Sequence, residues 1–384
     1  MEWTHCKVSD LAEIISGGTP KTSIESYWNG NIPWLSVKDF SGDSKYVSST
    51  EKTITEEGLN HSAANLLDVN DIVISARGTV GELAMLSVPM SLNQSCFGLR
   101  PKCDADYLYY LLKIKVAELK QRANGGVFGT IIRTTFDSIK CTLPLELKDQ
   151  HRIASILSTY DSLIENNTKR IRLLEKMAEN IYKEWFVRFR FPGHENVEME
   201  NGLPKGWKRG SLSDVCEFKR GKNITSSEMQ EGNVPVISAG LEPSGYHSCS
   251  NVRGVNVTMS SSGANAGYIA IHYSDIWAAD CSYIEESTTG NIYYVYELLN
   301  NIRTVINNFQ RGAAQPHVYP KDVNRIKLIL PSKELMLIAN GRLEIMHKEI
   351  YNLQKQNSLL ARQRDLLLPR LMSGKLEVKE ELLE

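Results

Sequence analysis

The sequence lacks the features that mark secreted and membrane-spanning proteins. Its seven cysteines are scattered over 384 residues and form no C-x-x-C pair, which argues against a disulfide framework or a zinc site. The N-terminal stretch has no basic-then-apolar signal pattern, and no apolar run approaches the ~18 residues of a membrane span. We therefore expect a cytoplasmic protein with reduced thiols and no membrane partner.

Several motifs of nucleic-acid enzymes are also missing. An adenine methyltransferase needs an Asn/Asp-Pro-Pro-Tyr/Phe motif, and a translocating ATPase needs the phosphate loop G-x-x-x-x-G-K-[ST]; neither occurs. The eight histidines form no H-x-x-x-H pair, so no metal site is predicted. The formal net charge of −1 gives no overall positive excess, although a basic face can be balanced by acidic residues elsewhere. The sequence predicts no catalytic residues.

The chain repeats itself. Residues 3–17, WTHCKVSDLAEIISG, return as residues 207–221, WKRGSLSDVCEFKRG, 204 positions later. NIPWLS at residues 31–36 returns as NVPVIS 202 positions later, and Leu143-Pro144 returns as Leu-Pro 187 positions later. Because the offset changes only by loop-sized steps, we interpret the chain as a duplicated domain.

The order of segments is globular half, helix, globular half, helix. Each half mixes short strand-like runs with one clear helix, near residues 106–121 and 292–307, which predicts an α+β fold with an internal pseudo-two-fold repeat. The predicted boundaries are 1–145 for the first half, 146–191 for the first long helix, 192–206 for a linker, 207–331 for the second half and 332–384 for the second long helix with its tail.

The two long helices carry apolar residues at alternating steps of four and three, the heptad pattern of a coiled coil. A run of some 35 residues would be a rod of roughly 50 Å, longer than a globular half is wide. We therefore predict an antiparallel coiled coil that separates the two halves. Its seam is assigned to Leu157, Ile164, Asn167, Ile171, Leu174, Ile350, Leu353, Asn357, Leu360 and Leu367.

Two details of these helices are predicted as well. The centres of the two heptad runs pair Asn167 with Asn357, and a buried amide is best satisfied by another amide, so we expect these side chains to face each other. Pro369 is expected to end or kink the second helix near Leu368, because proline cannot donate the helical hydrogen bond.

Four stretches carry a resemblance to a known family. They are LPLELKDQHRIASILSTYDSLIENN (143–167), IYKEWFVRFRFPG (181–193), LLLPRLMSGKLEV (366–378) and GGTPKT (17–22). In this order and duplicated arrangement, the chain resembles the specificity (S) subunit of type I restriction–modification enzymes over essentially its whole length.

The resemblance implies a function. Each half would be a target recognition domain that reads one part of a bipartite, asymmetric double-stranded DNA sequence. The helices would bind two methyltransferase (M) subunits, and restriction (R) subunits would join the complex. The S subunit would catalyse nothing and bind no cofactor: S-adenosylmethionine would belong to M, and ATP and Mg to R. The alternatives are a self-contained nuclease with two DNA-binding heads, since nuclease residues are widely spaced in sequence, and a coiled-coil scaffold without DNA contacts.

Candidate DNA contacts are chosen by chemistry and by position in loops beside glycine. Phosphates are bound by Lys, Arg, hydroxyls and backbone N–H groups, and base edges by Arg, Lys, Asn and Gln. In the first half the predicted contacts are Thr19, Lys21, Thr22, Lys38, Arg77, Thr79, Arg133 and Thr134. In the second half they are Arg220, Lys222, Asn223, Ser262, Asn265, Gln310, Arg311, Gln315 and His317.

Overall fold

The computed structural model describes residues 1–40, 44–123, 129–312 and 316–378. The chain divides into two compact units: unit 1 is Met1–Asn167 with Gln356–Glu384, and unit 2 is Thr168–Lys355. Each unit contains one globular half, the start of one long helix and the end of the other. Among the described residues, no helix combines the length and the apolar composition needed to cross a membrane.

In the part of the chain that the structure describes, unit 1 consists of short strands, four short or medium helices and parts of both long helices. Its strands are β1 (Trp3–Lys7), β2 (Ala12–Ser16), β3 (Trp28–Leu35), β4 (Tyr46–Val47), β5 (Lys52–Ile54), β6 (Leu66–Leu67), β7 (Ile72–Ser75), β8 (Leu83–Leu86), β9 (Met90–Leu92), β10 (Cys96–Pro101) and β11 (Lys140–Pro144). Its helices are α1 (Val8–Leu11), α2 (Glu56–Asn60), α3 (Ala105–Arg122), α4 (Arg133–Ser138) and the beginning of α5 (Leu147–Tyr182).

Two sheets form the body of unit 1. The larger has the order β2-β10-β7-β8-β4, and the smaller has the order β5-β3-β9-β6 with β3 parallel to β9. Strand β7, IVIS, is buried along its whole length, as expected of a central strand with a continuous apolar run. Helix α3 is capped by Asp104, which accepts a hydrogen bond from Tyr107 N–H at 2.8 Å, and residues 107–112 of α3 are buried in the core.

Unit 2 contains the corresponding elements. Its strands are β12 (Met199–Glu200), β13 (Leu203–Pro204), β14 (Lys208–Ser211), β15 (Lys219–Arg220), β16 (Val234–Ile237), β17 (Gly245–His247), β18 (Asn256–Ser260), β19 (Ile269–His272), β20 (Trp277–Ala278), β21 (Cys281–Glu285) and β22 (Lys327–Leu330). Its helices are α6 (Glu286–Thr289), α7 (Ile292–Asn301), α8 (Arg303–Asn307), α9 (Pro320–Val323) and most of α10 (Lys333–Met372).

The topology of unit 2 repeats that of unit 1. The order β15-β21-β18-β19 matches β2-β10-β7-β8, and the parallel pair β16 and β20 matches β3 and β9. Individual hydrogen bonds recur at the offsets found in the sequence. Val8 N–H donates to Ile139 C=O at 3.1 Å, and Leu212 N–H donates to Ile326 C=O at 2.9 Å. The predicted α+β fold with an internal repeat is therefore confirmed.

The long helices run antiparallel to each other within each unit. In unit 1 Asp161 of α5 binds Arg364 of α10, and in unit 2 Arg170 of α5 binds Glu349 of α10 at 2.8 Å. All ten residues assigned to the seam are buried or half-buried, whereas Leu163 and Leu173 on other faces of α5 are exposed.

The two seam asparagines have other partners than the expected ones. The side chain of Asn167 donates to Gln356 Oε1 at 3.4 Å, and that of Asn357 donates to the backbone C=O of Ile164 at 3.5 Å. The amide of Asn167 thus bonds to the residue before Asn357. The two asparagines therefore lie at the register that the sequence predicts, with the side chain of Asn167 bonded to Gln356 and that of Asn357 bonded to a backbone carbonyl of α5.

Two expectations about helix ends are also corrected. Helix α10 continues through Pro369 to Met372, because a proline in the last turn removes only one hydrogen bond while Leu368, Leu371 and Met372 are buried in the core of unit 1. The helix expected over residues 292–307 breaks at Ile302 into α7 and α8, just after two asparagines, which are weak helix formers.

The predicted linker, residues 192–206, contains a hairpin of β12 and β13. Leu203 of β13 is buried there.

Candidate nucleic-acid interface

Several loops of the first half meet at one end of its sheets. Ser16, the last residue of β2, lies opposite Phe97 near the start of β10, and Cys96 lies opposite Ser75, the last residue of β7. The parallel strands β3 and β9 end at Leu35 and Leu92, which are paired. The loops at residues 17–22, 36–39, 76–82 and 93–95 are therefore neighbours, and they carry six of the predicted contacts: Thr19, Lys21, Thr22, Lys38, Arg77 and Thr79.

The loop at residues 17–22 is held closely against the loop at residues 93–95. Gly18 N–H donates to Leu92 C=O at 2.8 Å. A Cβ on Gly17 would lie 1.9 Å from the carbonyl oxygen of Asn93, so only glycine fits there. The hydroxyl of Thr19 donates to the side chain of Gln94.

Two tryptophans fix the same loop from below. The indole N–H of Trp34 donates to Gly18 C=O at 3.0 Å, and that of Trp28 donates to Lys21 C=O at 3.3 Å. The two rings pack edge to face with 5.1 Å between their centroids. The side chains of Thr19, Lys21 and Thr22 are exposed above this support.

The turn after β7 presents Arg77 and Thr79 to solvent. Ser75 Oγ accepts a hydrogen bond from Glu82 N–H at 2.8 Å across the turn, and Gly78 takes a φ of 77° that favours glycine. Ile131 N–H donates to the C=O of Ala76 at 3.1 Å, which places the start of α4 next to this turn. The predicted contacts Arg133 and Thr134 are exposed on α4.

A groove of about 350 Å³ lies among these loops. It brings together Lys38 and Arg77, which the sequence predicted, with Lys52, Asn93 and Ser95, which it did not. Lys52 lies on β5 opposite Trp34, so only the strand pairing brings it to the groove. No local motif marks it in the sequence.

In the second half the carboxylate of Asp280 connects two of the corresponding loops by hydrogen bonds. Asp280 accepts hydrogen bonds from Arg220 at 2.6 Å and from the hydroxyl of Ser262 at 2.5 Å. Trp277 donates its indole N–H to the C=O of Lys222 at 2.9 Å, as Trp34 does to Gly18 in the first half. Ser262 is buried, whereas the side chains of Lys222 and Asn223 are exposed.

The remaining predicted residues of the second half lie around the same turn. The side chain of Gln310 donates to the C=O of Ala266 at 2.8 Å, and Arg311 forms an ion pair with Asp322 at 3.0 Å. His317 is bridged by backbone hydrogen bonding to Ser262 and to Arg311, and Asn265 is half-buried in the turn. Gln315 lies outside the described residues.

Each half has a buried cysteine thiol at the start of a strand next to the loops described above. Cys96 and Cys281 occupy equivalent first positions of β10 and β21, and burial raises the pKa of each thiol to about 12. Both thiols therefore stay protonated and uncharged at neutral pH. Among the described residues, no three His, Cys, Asp or Glu side chains come together in a way that could hold a metal ion.

The chain matches a known family in both halves. The family described as "Type I restriction modification DNA specificity domain" matches residues 1–176 and residues 204–356. The chain therefore belongs to this family, and its part in such a system is DNA recognition rather than catalysis.

Individual relatives agree with this. The specificity subunit of the type I restriction enzyme MjaIX from Methanocaldococcus jannaschii is 27% identical over 409 residues, which cover 99% of this chain and 94% of the relative. The EcoR124I/EcoR124II specificity subunit from Escherichia coli is 31% identical over 210 residues, covering 51% of this chain and 50% of that subunit.

A solved structure shares the fold. The S subunit of a type I restriction–modification system from M. genitalium aligns with a TM-score of 0.61 at 20% identity, covering 97% of this chain and 96% of that one. Nothing in these comparisons favours the self-contained nuclease.

Proposed function

We propose that each half of the chain reads one part of a bipartite, asymmetric sequence in double-stranded DNA. The observation that carries this proposal is the repeated loop cluster: in both halves, loops with exposed hydroxyl, amide and cationic side chains are fixed at the same end of the same sheet. Such side chains on rigid loops can bind phosphates and base edges. Thr19, Arg77 and Thr79 in the first half, and Lys222 and Asn223 in the second, are exposed for this role.

The proposal includes two methyltransferase subunits as partners. Each unit exposes large apolar side chains on its parts of the long helices. Unit 1 exposes Leu163, Leu359 and Leu366, and unit 2 exposes Leu173, Met177 and Ile345. Such side chains are available for contact with a partner protein, whose binding would remove them from water. Two similar surfaces, one in each unit, would accept two copies of one partner.

The chemistry would belong to other subunits. S-adenosylmethionine would bind to the methyltransferase subunits, and ATP and Mg would bind to restriction subunits that join the complex. A cytoplasmic location belongs to the same proposal, since all seven cysteines are free thiols, as in a reducing compartment.

The test is to replace one half at a time. The full chain and its methyltransferase subunit are expressed together, and methylated adenines are mapped by sequencing. We expect a two-part methylated motif. Exchange of residues 1–142 with those of another specificity subunit should change one part of the motif, and exchange of residues 207–330 should change the other. If either exchange altered both parts, the proposal of independent halves would be wrong. As a control, the chain alone should neither methylate nor cleave DNA.

A further inference from the structure

The groove of the first half carries positive charge that the second half does not have at the same place. Its lining includes Lys38, Lys52 and Arg77 and a single carboxylate, that of Glu51. Within the described residues, none of the three cations forms an ion pair; the ammonium of Lys52 lies 5.9 Å from the ring centroid of Trp28. With the carboxylate of Asp39 in the neighbouring turn counted as well, the described side chains at the groove are three cations and two carboxylates, a net charge of about +1.

The turn that carries Lys38 is rigid. Asp39 Oδ2 accepts hydrogen bonds from the backbone N–H and the hydroxyl of Ser36, both at 2.7 Å, and Asp39 Oδ1 accepts one from Glu51 N–H at 2.7 Å. The carboxylate of Asp39 is thus occupied in shaping the turn. Lys38, the next residue but one after Ser36, is exposed beside the groove.

The other walls are rigid as well. Arg77 follows Ser75, whose hydroxyl closes the turn between β7 and β8, and Trp34 is held by its bond to Gly18. Trp34 is only 7% exposed, so its ring forms a fixed wall. Hydroxyls and an amide from Ser36, Asn93 and Ser95 complete the lining. The cations therefore stand on backbone that needs little reorganisation on binding, which favours affinity.

The strand pairing identifies the equivalent positions in the second half. Trp34 pairs with Lys52, and its counterpart Val236 pairs with Gly245. By the same repeat, Gly240 stands for Lys38 and Ser262 stands for Arg77. All three cations are thus replaced by uncharged residues.

The equivalent place in the second half also carries a negative charge, that of Asp280. Asp280 stands immediately before β21, where Ser95 stands before β10, so a lining hydroxyl of the first half is replaced by a carboxylate. Arg220 forms an ion pair with that carboxylate at 2.6 Å.

We propose that the groove of the first half is a binding site for a DNA backbone phosphate, and that the second half has no such site at the equivalent place. The inference rests on the proposed DNA recognition and adds a division of roles to it. Lysine binds a phosphate oxygen as a point charge, and arginine can donate two parallel hydrogen bonds to it. The first half supplies electrostatic anchoring, and the second half depends more on uncharged hydrogen bonding.

The salt dependence of binding tests this. The full chain, assembled with its methyltransferase subunit, is titrated onto a duplex with its target at several salt concentrations. Each phosphate contact contributes about 0.9 to the slope of log affinity against log salt. Lys38→Gln and Arg77→Gln should each lower the slope, and the double variant should lower it by about one, the contribution of one phosphate. The preferred sequence should not change, because phosphates carry no sequence information. Lys140→Gln, which removes an exposed lysine of β11 in the same half, should leave the slope unchanged.

A gain of charge gives the matched experiment in the second half. Gly240 does not have a positive φ, and a Cβ there would meet its nearest neighbour, the carbonyl oxygen of Glu242, at 3.4 Å, so Gly240→Lys can be accommodated. It should raise the slope by up to about one. The inference is overturned if Lys38→Gln and Arg77→Gln leave the slope unchanged, or if they alter the preferred sequence instead. Failure of the wild-type complex to prefer any sequence would contradict the proposed function itself.

Discussion

The two halves share a backbone framework and differ in the side chains built on it. Gly17 N–H donates to Cys96 C=O at 3.3 Å, and at the equivalent place Gly221 N–H donates to Cys281 C=O at 2.9 Å. The side chains around these bonds have diverged: three cations line the groove of the first half, and none stands at the corresponding positions of the second. The comparison teaches that backbone hydrogen bonds preserve the fold while the chemistry at the loop tips is free to change.

The same contrast holds inside the protein, where the helix of each half meets a long helix. In unit 1 Asp161 of α5 accepts hydrogen bonds from the hydroxyl of Tyr110 and from the guanidinium of Arg364. In unit 2 the same junction is formed by His347 of α10, whose ring lies 3.3 Å from Glu297 Oε1. The repeat thus preserves a polar contact between the two helices but not the residues that make it.

The largest effect is expected from breaking the junction of unit 1. Arg364 and Asp161 are both almost fully buried, so Asp161→Ala leaves a buried guanidinium with only the exposed carboxylate of Asp365 as an ionic partner and should destabilise unit 1 by about 3 kcal/mol. Hydrogen exchange of α3 measures this locally. Glu349→Ala, which breaks the exposed pair with Arg170, should cost less than about 1 kcal/mol.

A double replacement sharpens the first prediction. Asp161→Leu combined with Arg364→Leu removes both charges. The double variant should recover most of the stability lost in Asp161→Ala, because two apolar side chains leave no buried charge without a partner. Equal protection of α3 in Asp161→Ala and Glu349→Ala would show that the buried pair has no special weight.

The second prediction concerns pH and applies to the second half alone. Burial lowers the pKa of His272 to about 4 from an ordinary value of 6.5. Between these values the unfolded chain takes up a proton that the folded one does not. Stability of unit 2 should therefore fall as the pH drops from 6.5 to 4, by up to about 3 kcal/mol.

The first half provides the control for this pH effect. The places of His272 and of its hydrogen-bond partner Thr258 are taken there by Leu86 and Val73. His272→Leu with Thr258→Val should remove the loss of stability in this pH range, as measured by thermal unfolding at pH 7 and pH 5. An unchanged difference between the two pH values would assign the effect to another group.

The third prediction uses the shared framework. A Cβ on Gly17 would lie 1.9 Å from the carbonyl oxygen of Asn93, and one on Gly221 would lie 2.4 Å from that of Ala279. Alanine at either position should displace the loop and cost about 1–3 kcal/mol in the half concerned. In the methylation assay, Gly17→Ala should weaken reading of one part of the target and Gly221→Ala that of the other. Loss of both parts from one substitution would contradict independent halves.

The smallest effect is expected from Trp34→Phe. The ring is kept, but the hydrogen bond to Gly18 is lost, which should cost about 0.5–1.5 kcal/mol and loosen the loop at residues 17–22. Reading of the first half of the target should relax slightly, while Trp277→Phe should act on the second half only. Faster hydrogen exchange in each loop would accompany the change.

Much of the fold could be predicted from the sequence, because two segments of the chain encode the same fold and can be compared with each other. The offsets between repeated phrases are those between equivalent hydrogen bonds, as for Val8 and Leu212. The seam of the long helices follows from apolar spacing, since spacing determines which face of a helix is buried. The asparagine partners did not follow, because a neighbouring glutamine and a backbone carbonyl compete for the same amides.

The candidate site was less predictable. Loop position identified Lys38 and Arg77, but it also selected Ser262, whose hydroxyl is buried against Asp280, and Gln310, whose side chain bonds to the backbone. Lys52 was missed because only the pairing of β3 with β5 brings it to the groove. Composition and spacing do not report such contacts between distant segments.

The division of the chain into units has a consequence for synthesis on the ribosome. Unit 2 is continuous, so all of its residues are available once residue 355 has emerged. The core of unit 1 includes Leu368, Leu371 and Met372, which are made after all of unit 2, although most of that core is made first. The half translated first must therefore wait with an uncovered apolar surface, and unit 2 can complete its folding before unit 1. A released chain truncated after residue 355 should accordingly resist protease in unit 2 and be cleaved in unit 1.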